Sequence, residues 1–509
     1  MIRYLLLFAL AFLFTTCTQP HFHVIIRQAT LYDGTGAPAI TADVGLRENL
    51  IAQVGNLANA TADTVIEASG LAVAPGFIDT HSHHTWGMFQ LRGMQACTSQ
   101  GITTIIVGQD GFSKHPLADF FQEIERTPVA VNLGSYVGHN TLRDSVLGTD
   151  YRRTASEAEI NQMKNLMLAD LQAGALGLST GLEYDPGIYS SREEVLALSG
   201  DCARQGGRYI SHIRSEDRYF WSALSELLTI GQKTGMPVQI SHTKLAMKSL
   251  WGKSALLIAK LDSARHAGVQ VTADVYPYTY WQSTMKVLFP ERNFQDEQAA
   301  TFALTELTTP EHVVINNFSL DSSYEGKTLA EIAALRKSTG PKTLMDLIAE
   351  VDRKKGEESI LAASMAEEDI AAIASWPFAN FCSDGSATSR HPRGYGTFTR
   401  VLRQYVREEK RLPLEEAIRK MTSLAATNVG ISRRGTIKEG WYADLVLFDP
   451  RSVADQATPE RPQELSKGIY AVWVNGQLVF GNGHPTGRFP GAIIKREMPK
   501  SQNSLPEQL

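Results

Sequence analysis

The stretch Pro75-Gly76-Phe77-Ile78-Asp79-Thr80-His81-Ser82-His83 decides the fold of this 509-residue chain. Its apolar run after Pro-Gly indicates a short buried strand, and histidines at i and i+2 point to one side of an extended backbone. A second apolar run, Phe381-Cys382-Ser383, ends in Asp384-Gly385. Two imidazoles and a carboxylate that follow buried strands predict a metal site.

The chain between these two motifs alternates strand-like and helix-like segments. With the strand that ends at His81, eight strand candidates are present, the other seven being residues 103–107, 129–135, 176–179, 209–212, 238–242, 271–275 and 381–383. Helical stretches separate them, among them residues 155–173, 191–205, 221–234 and 254–267. Eight strands with intervening helices predict an α/β fold, a (β/α)8 TIM-like barrel, and no Gly-rich GxGxxG turn favours an open doubly wound sheet.

The predicted barrel spans residues 79–425, about a hundred more than the ~250 of a typical barrel. Most of the surplus is a polar, partly helical insertion at about residues 290–376, before the last strand, which we expect to cover the barrel mouth. Residues 24–78 and 426–496 instead alternate short β-branched runs with turns. They predict a small β-sandwich domain formed from both chain ends.

Residues 1–17 differ from the rest of the chain. A basic start at Arg3, an apolar run over residues 4–14 and then Cys17 are typical of a signal peptide of the lipoprotein type. We expect export to a bacterial cell envelope and a membrane tether through lipidation of Cys17; the alternative is an ordinary signal peptide with an incidental cysteine. The remaining cysteines, Cys97, Cys202 and Cys382, are widely spaced, which predicts buried small side chains and no disulfide framework.

Overall composition narrows the class of partner. The chain is 43% hydrophobic and 20% charged, an ordinary globular composition, and its formal net charge is −5. It shows no basic stripe and no nucleic-acid recognition motif, so we expect no nucleic-acid partner. A small-molecule substrate is the expected partner, and the sequence indicates no protein partner.

The ends of the predicted strands carry most of the candidate chemistry. In a barrel, residues at the carboxyl ends of strands face the active site. Taken in order, they are His81, His83, Asp110, Glu183, Tyr184, His212, His242, Lys244, Tyr276 and Asp384. Each alone fits a core or turn residue, but so many polar groups at the ends of apolar strands would be desolvated without partners, which favours a bound metal. Imidazole plus carboxylate favours one or two Zn²⁺ ions, with Mn²⁺ or Co²⁺ as alternatives.

A series of motifs, collinear over residues 24–496, resembles one known family. The motifs are Gly101-Ile102-Thr103-Thr104, Gly138-His139-Asn140-Thr141, Gly177-Leu178-Ser179-Thr180-Gly181, Ser211-His212-Ile213-Arg214, Ile240-Ser241-His242-Thr243-Lys244, Asp274-Val275-Tyr276-Pro277 and His391-Pro392-Arg393. Together with the HxH pair they are similar to the N-acyl-D-amino-acid deacylases, or D-aminoacylases, of the amidohydrolase superfamily. The resemblance implies metal-dependent hydrolysis of the amide bond of N-acyl-D-amino acids to a carboxylate and a free D-amino acid. The D-stereochemistry rests on the resemblance alone.

The resemblance also assigns roles to residues at the strand ends. His212 and His242 match the family's firmly bound zinc ligands. His81 and His83 match a second, weaker metal position, and Asp384 matches the catalytic carboxylate. The implied mechanism is attack by a metal-activated hydroxide, with Asp384 taking the proton of the water and passing it to the departing amine.

Three further positions match the family's contacts with the substrate carboxylate, namely Lys244, Tyr276 and Arg393. Two cations and a tyrosine hydroxyl suit that role because all of them donate hydrogen bonds. The alternative is that Lys244 and Arg393 only neutralise an acidic site.

The chain departs from the family pattern at two positions. Asp110 stands where the family usually has a cysteine, so a carboxylate replaces the expected thiolate ligand or bridge and could admit manganese or cobalt. His84 stands where an acidic residue is frequent. On a strand its side chain points opposite to that of His83, so direct ligation by His84 is not the favoured interpretation.

Two other functions stay open from the sequence. A cyclic-amide hydrolase or dipeptidase of the same superfamily commonly uses a carboxylated lysine as bridging ligand, and Lys244, which follows His242, is poorly placed for it. A non-catalytic envelope binding lipoprotein would retain the barrel without its chemistry. Asp384 and the His81–His83 pair are both present, which disfavours that reading, while the replacement at Asp110 favours it.

Overall fold

A computed structural model describes residues 19–497. Both ends of this range contribute to one nine-stranded sheet, whose strands are His21–Leu31, Ile40–Arg47, Leu50–Gly55, Thr61–Glu67, Ala72–Pro75, Leu445–Phe448, Ile469–Val474, Gln477–Gly481 and His484–Pro485. Ala72–Pro75 pairs antiparallel with Leu445–Phe448 and so joins the two halves. Alternate residues from both halves, among them Leu46 and Trp473, share one buried core. The predicted association of the two chain ends is confirmed.

Eight parallel strands form the barrel, each ending toward the same side. In chain order, the first to eighth barrel strands are Phe77–Asp79, Ile102–Val107, Asn132–Ser135 with its continuation Val137–Gly138, Gly177–Gly181, Arg208–His212, Val238–Ile240, Val271–Val275 and Ala379–Phe381. Neighbours in this order pair in parallel, in two runs that meet where Tyr136 interrupts the third strand. Beyond the eighth strand, Asp384 N donates to His81 O at 2.9 Å, which brings the last strand end against the first. The predicted eight-stranded α/β architecture is confirmed.

The helices of the described range are Gln95–Thr98, Leu117–Arg126, His139–Leu147, Glu157–Ala173, Arg192–Arg204, Phe220–Thr234, Ser254–His266, Glu297–Phe302, Leu329–Leu335, Gly340–Lys354, Glu367–Ser375, Arg393–Arg400, Leu414–Met421 and Ser423–Val429. Local sequence sets their limits. Ser156 and Glu159 form a capping box at the start of Glu157–Ala173, and Gly174, with φ of 120°, ends that helix. Buried Met163 and Leu171 on one face of this helix pack it against the barrel core.

A three-stranded antiparallel sheet lies between the seventh and eighth barrel strands. Its strands are Tyr280–Ser283, Val313–Phe318 and Glu358–Ala363, and helices Glu297–Phe302, Leu329–Leu335 and Gly340–Lys354 accompany it. The inserted sheet therefore begins earlier than the polar stretch from about residue 290 that suggested it. Helix Glu367–Ser375 contacts the seventh and eighth barrel strands and is part of the barrel's helical layer.

The structure also tests the predictions about the cysteines, and it shows whether any described helix could cross a membrane. Cys97, Cys202 and Cys382 are free and buried, as predicted. Between residues 19 and 497, the helices are too short or too polar to cross a membrane. Cys17 and the rest of the predicted signal peptide lie outside the described residues.

Candidate metal centre

The two motifs that open the sequence analysis meet at the carboxyl ends of the first and eighth barrel strands. Buried Asp79 accepts hydrogen bonds from Ser383 N at 2.8 Å and from Ser383 Oγ at 2.5 Å. On the other side of this junction, His83 N donates to Gly385 O at 2.8 Å. These bonds fix the loop that carries Asp384 against the loop that carries the HxH pair.

Four buried side chains converge at this point, namely His81, Asp110, His242 and Asp384. One donor atom from each lies within 4.8 Å of all the others. His81 Nε2 is 3.3 Å from Asp110 Oδ1 and 3.6 Å from Asp384 Oδ1. His242 Nε2 is 3.2 Å from the same Asp110 oxygen. Asp110, which stands in place of the family's cysteine, is therefore at the centre of the cluster.

His83 approaches the two carboxylates from the solvent side. Its Nε2 lies 3.4 Å from Asp110 Oδ2 and 3.2 Å from Asp384 Oδ1. Because the two oxygens of Asp110 face different histidines, this carboxylate is placed to bridge two ligand sets.

His212 extends the cluster on the opposite side. Its Nδ1 lies 3.0 Å from His242 Nε2, and its Nε2 lies 2.8 Å from Glu183 Oε2. A carboxylate on the outer ring nitrogen fixes the ring and its tautomer and leaves the inner nitrogen as the donor, an arrangement common around metal-binding histidines. Glu183 is thus a supporting residue, and His212 presents Nδ1 to the centre.

Three members of the cluster have left-handed backbone conformations. The φ angles are 54° at Asp110, 33° at His242 and 48° at Asp384. Non-glycine residues adopt this region at a cost, and such residues concentrate at functional sites. For His242 the surrounding structure supplies the restraint, because its N–H donates to the buried carboxylate of Asp274.

The charges and unpaired donors of the cluster fit a cation. Burial alone would lower the pKa of His83 and of His242, but the carboxylates of Asp110, Asp384 and Glu216 outweigh it and raise these values to about 9 and about 10. The site therefore favours positive charge among its histidines. Nδ1 of buried His81 has no hydrogen-bond partner within the described structure, and its Nε2 contacts the carboxylates of Asp110 and Asp384 without hydrogen-bond geometry. A buried set of imidazole and carboxylate donors of this kind suits zinc or a related divalent metal.

Glu216 is a site residue that the sequence analysis missed. Lys244 Nζ lies 2.7 Å and 2.8 Å from its two carboxylate oxygens and 2.7 Å from His242 Nδ1. Glu216 also forms a possible metal-binding group with His212 and His242. The ammonium of Lys244 lies beside His242 Nδ1, the ring nitrogen that faces away from Asp110. The negative charge of Glu216 is therefore already neutralised by a cation of the chain itself. Lys244, expected to meet the substrate carboxylate, is largely committed to this buried pair.

The other two predicted substrate contacts lie beside the cluster. Arg393 Nη1 is 2.6 Å from Asp384 Oδ2, and the guanidinium lies over the ring of Tyr276, 4.8 Å from its centroid. Tyr276 Oη is buried and has no hydrogen-bond partner among the described residues. Gly385 makes this arrangement possible, because a Cβ there would stand 2.3 Å from Gly394 Cα. The Tyr276 ring faces two cations, Arg393 and Lys244, and its unpaired hydroxyl is suited to an anionic ligand group.

His84, the third histidine of the first motif, belongs to neither ligand group. It is buried, and its Nδ1 lies 2.8 Å from Ser82 Oγ. Burial lowers the pKa of His84 to about 4, so its ring is held neutral. The structure places it behind the centre, in agreement with the strand alternation.

A narrow cavity of about 40 Å³ opens beside the centre and reaches the insertion. Its barrel side carries His212, His242, Lys244, Asp384 and Arg393. Its insertion side carries the apolar Trp281, Val287, Leu288 and Leu307 together with the polar Gln282 and Ser283. The insertion thus forms one wall of the candidate active site.

Comparison with known proteins agrees with this geometry. The family model described as "Amidohydrolase family" matches residues 64–303 and 320–480. The chain belongs to the amidohydrolase family. Within that family it is 34% identical over 504 residues to a D-aminoacylase of Alcaligenes xylosoxydans xylosoxydans, covering 94% of this chain and 98% of that protein. It is also 36% identical, over 504 residues, to an N-acyl-D-glutamate deacylase of that organism. This match likewise covers 94% of this chain and 98% of that protein.

A solved amidohydrolase structure supports the same assignment. The N-acyl-D-glutamate deacylase of Bordetella bronchiseptica, complexed with zinc and a phosphonate mimic of the tetrahedral intermediate, superposes with a TM-score of 0.85 at 33% identity. The match covers 93% of this chain and all of that one. The membership in the N-acyl-D-amino-acid deacylases that the motifs predicted is confirmed.

Proposed function

We propose that this amidohydrolase hydrolyses the amide bond of N-acyl-D-amino acids to a carboxylate and a free D-amino acid. The observation that carries the proposal is the convergence of His81, Asp110, His242 and Asp384 within 4.8 Å, next to the anion-binding pair Arg393 and Tyr276. A metal-ligand group beside an anion site matches a substrate with an amide next to a carboxylate. Three relatives, which by name are a D-aminoacylase, an N-acyl-D-glutamate deacylase and an N-acyl-D-aspartate deacylase, support the stereochemistry.

The metal ligands of the proposal are Asp110 and the five side chains around it: His81, His83, His212, His242 and Asp384. A zinc ion held by these residues would supply a Lewis acid for the amide carbonyl and would acidify a water molecule. Glu183 and Asp274 hold His212 and His242 in place, one through a ring nitrogen and the other through the backbone N–H. Mn²⁺ and Co²⁺ are the alternative ions, because the carboxylate of Asp110 is a harder ligand than a thiolate.

Asp384 moves the proton in this scheme. Burial would raise the pKa of this carboxyl, but the guanidinium of Arg393 and the neighbouring histidines hold it below its usual range. Asp384 is therefore ionised before the reaction and can accept the proton of the attacking water at a carboxylate oxygen. It then donates that proton to the departing nitrogen, so one residue acts as general base and then as general acid.

Arg393 and Tyr276 orient the substrate. The guanidinium has free donors besides those facing Asp384, and the unpaired Tyr276 hydroxyl adds another. Together they can bind the α-carboxylate and set the amide carbonyl against the metal ligands. Lys244 adds positive charge to the same wall while it remains paired with Glu216.

A substrate panel tests the proposed function. Metal-reconstituted enzyme is assayed with matched N-acetyl-D-amino acids, N-acetyl-L-amino acids and cyclic amides such as hydantoins. We expect turnover of the D-series only. Turnover restricted to L-substrates or to cyclic amides would contradict the proposal, and inactivity with every substrate and metal would favour the non-catalytic binding protein.

We further propose that the chain is exported and tethered to the cell envelope through a lipid on Cys17. The charged start, the apolar run and the cysteine within residues 1–17 support this proposal. Cells that express the full chain or Cys17→Ser are compared by metabolic labelling with a fatty acid and by membrane fractionation. Label and membrane association are expected only for the wild-type chain. Equal distribution of the two proteins would contradict lipidation.

A further inference from the structure

Two loops that begin with candidate metal ligands continue into exposed aromatic residues. In the loop after the first barrel strand, Trp86 follows His83 in a turn closed by Trp86 N and His83 O, 3.4 Å apart. In the loop after the second, Phe112 follows Asp110 in a turn closed by Phe112 N donating to Gln109 O at 2.9 Å. Trp86 is 70% exposed and Phe112 is 45% exposed. Large apolar side chains left in water beside an active site commonly mark a binding surface.

These two residues form part of one continuous groove. We call it the aromatic groove and define it by Trp86, Phe89, Phe112 and Phe120. Val107 and polar side chains, among them Thr85, Gln90 and Thr141, complete its lining. It has a volume of about 470 Å³ and is open to solvent, and the charged side chains of Lys114 and Glu123 also line it. Phe120 is buried, and Phe89 packs against the main core, so the inner wall of the groove is fixed.

The aromatic groove adjoins the metal centre. Trp86 lines it and also lines the open mouth of the candidate active site, together with His83, Asp110 and Asp384. Lys244 lines the inner cavity and not this mouth, and Arg393 lines both, so the positive charge that attracts the carboxylate end of the substrate extends away from Trp86. With the amino-acid part on that side, the acyl part of the amide points toward His83 and Trp86.

We propose that the aromatic groove binds the acyl chain of the substrate and that the enzyme prefers unbranched acyl groups longer than acetyl. The inference rests on the proposed function, because it places the amide at the metal centre. An alkyl chain leaving the carbonyl carbon past His83 meets Trp86 first and then the inner aromatic wall. Each methylene buried there leaves water and strengthens binding in the transition state.

A chain-length series tests the proposal. The holoenzyme is assayed with N-acetyl, N-butanoyl, N-hexanoyl and N-octanoyl derivatives of one D-amino acid. Full burial of a methylene corresponds to about a fourfold gain, so we expect kcat/KM to rise about twofold to fourfold per methylene in a partly open groove. In Trp86→Ala/Phe112→Ala the rise is expected to disappear. Tyr470→Ala, which removes an aromatic side chain of similar exposure from the terminal sheet, should keep the wild-type slope.

The possible outcomes separate this inference from the proposed function. A flat or falling profile in an active wild-type enzyme would overturn the inference alone. An equal loss for every chain length in the double variant would also overturn it, since the aromatic residues would then serve another role, such as contact with a membrane surface. Absence of hydrolysis at every chain length would defeat the proposed function.

A binding measurement tests, independently of turnover, whether the aromatic groove binds an alkyl chain. Calorimetric titration compares octanoate with acetate on the wild-type chain and on the double variant. Octanoate is expected to bind at least about tenfold more tightly to the wild type, because several methylenes are buried, and to lose this advantage in the variant. Equal binding of the two carboxylates by the wild type would overturn the proposal.

Discussion

Replacement of Asp384 by asparagine tests the proton-transfer step in isolation. The amide keeps the shape of the side chain and can still present an oxygen to His83, which lies 3.2 Å from Asp384 Oδ1. It cannot accept a proton from water. General acid–base catalysis contributes about 10²–10⁴ in rate, or about 3 to 5 kcal/mol of barrier. Asp384 is nearly inaccessible to solvent, so bulk water is poorly placed to replace it, and we expect the upper half of that range.

The same substitution has a separate cost in stability. Arg393, whose side chain is 7% exposed, loses the carboxylate 2.6 Å away and keeps a buried charge without its partner. Removal of one member of a buried ion pair costs about 3 kcal/mol or more. The apparent melting temperature should therefore fall, while His81, His83 and Asp110 still provide ligands.

The assay measures kcat and KM together with metal content and circular dichroism. We expect kcat to fall about a thousandfold at unchanged metal occupancy, with a much smaller change in KM. Asp369→Asn is the matched control, because Asp369 is also a buried carboxylate but caps the Gly252 and Ser254 amides outside the centre. A kcat for Asp384→Asn within about tenfold of wild type, at equal metal content, would refute the assigned role.

Three other substitutions test the remaining parts of the site. Asp110→Cys restores the softer ligand, so zinc should resist a chelator longer than in wild type; unchanged metal stoichiometry and retention would show that Asp110 is not a ligand. Lys244→Met leaves the buried Glu216 carboxylate without its cation and should lower the free energy of unfolding by about 3 kcal/mol. Much of this loss should be recovered in Lys244→Met/Glu216→Gln, and additive losses in thermal unfolding would contradict the pairing. Tyr276→Phe should raise KM about tenfold for N-acetyl-D-amino acids but leave the corresponding α-amides unaffected; equal effects on both would exclude a carboxylate contact.

The barrel could be predicted from sequence because its strands are apolar and their ends are polar. Seven of the eight strand candidates match observed strands to within a few residues, and the last, 381–383, overlaps Ala379–Phe381 only at Phe381. The capped helix Glu157–Ala173 was expected at 155–173. The strand ends were less predictable. The sixth strand stops at Ile240 and not at His242, because His242 adopts a left-handed backbone that no apolar pattern reveals.

Some residues of the candidate site could likewise be predicted from sequence, and others could not. Histidines and aspartates at strand ends could be located, since alternation on a strand fixes the direction of a side chain. Glu216 could not, because it lies in a loop, and the available signal was only its position four residues after His212. Its pairing with Lys244 is a tertiary contact between two loops. The inserted sheet was missed because its short strands, such as Val313–Phe318 and Glu358–Ala363, are far apart in sequence and are separated by polar helical segments.

Reversible metal dependence on a D-substrate tests the central claim most directly. The rate of hydrolysis of one N-acyl-D-amino acid and of its L-enantiomer is measured before chelation, after removal of metal, and after addition of zinc. The proposed mechanism requires hydrolysis of the D-enantiomer to disappear with the metal and return with zinc, while the L-enantiomer stays unreactive. Undiminished hydrolysis by the metal-free protein, or equal rates for the two enantiomers, would contradict it.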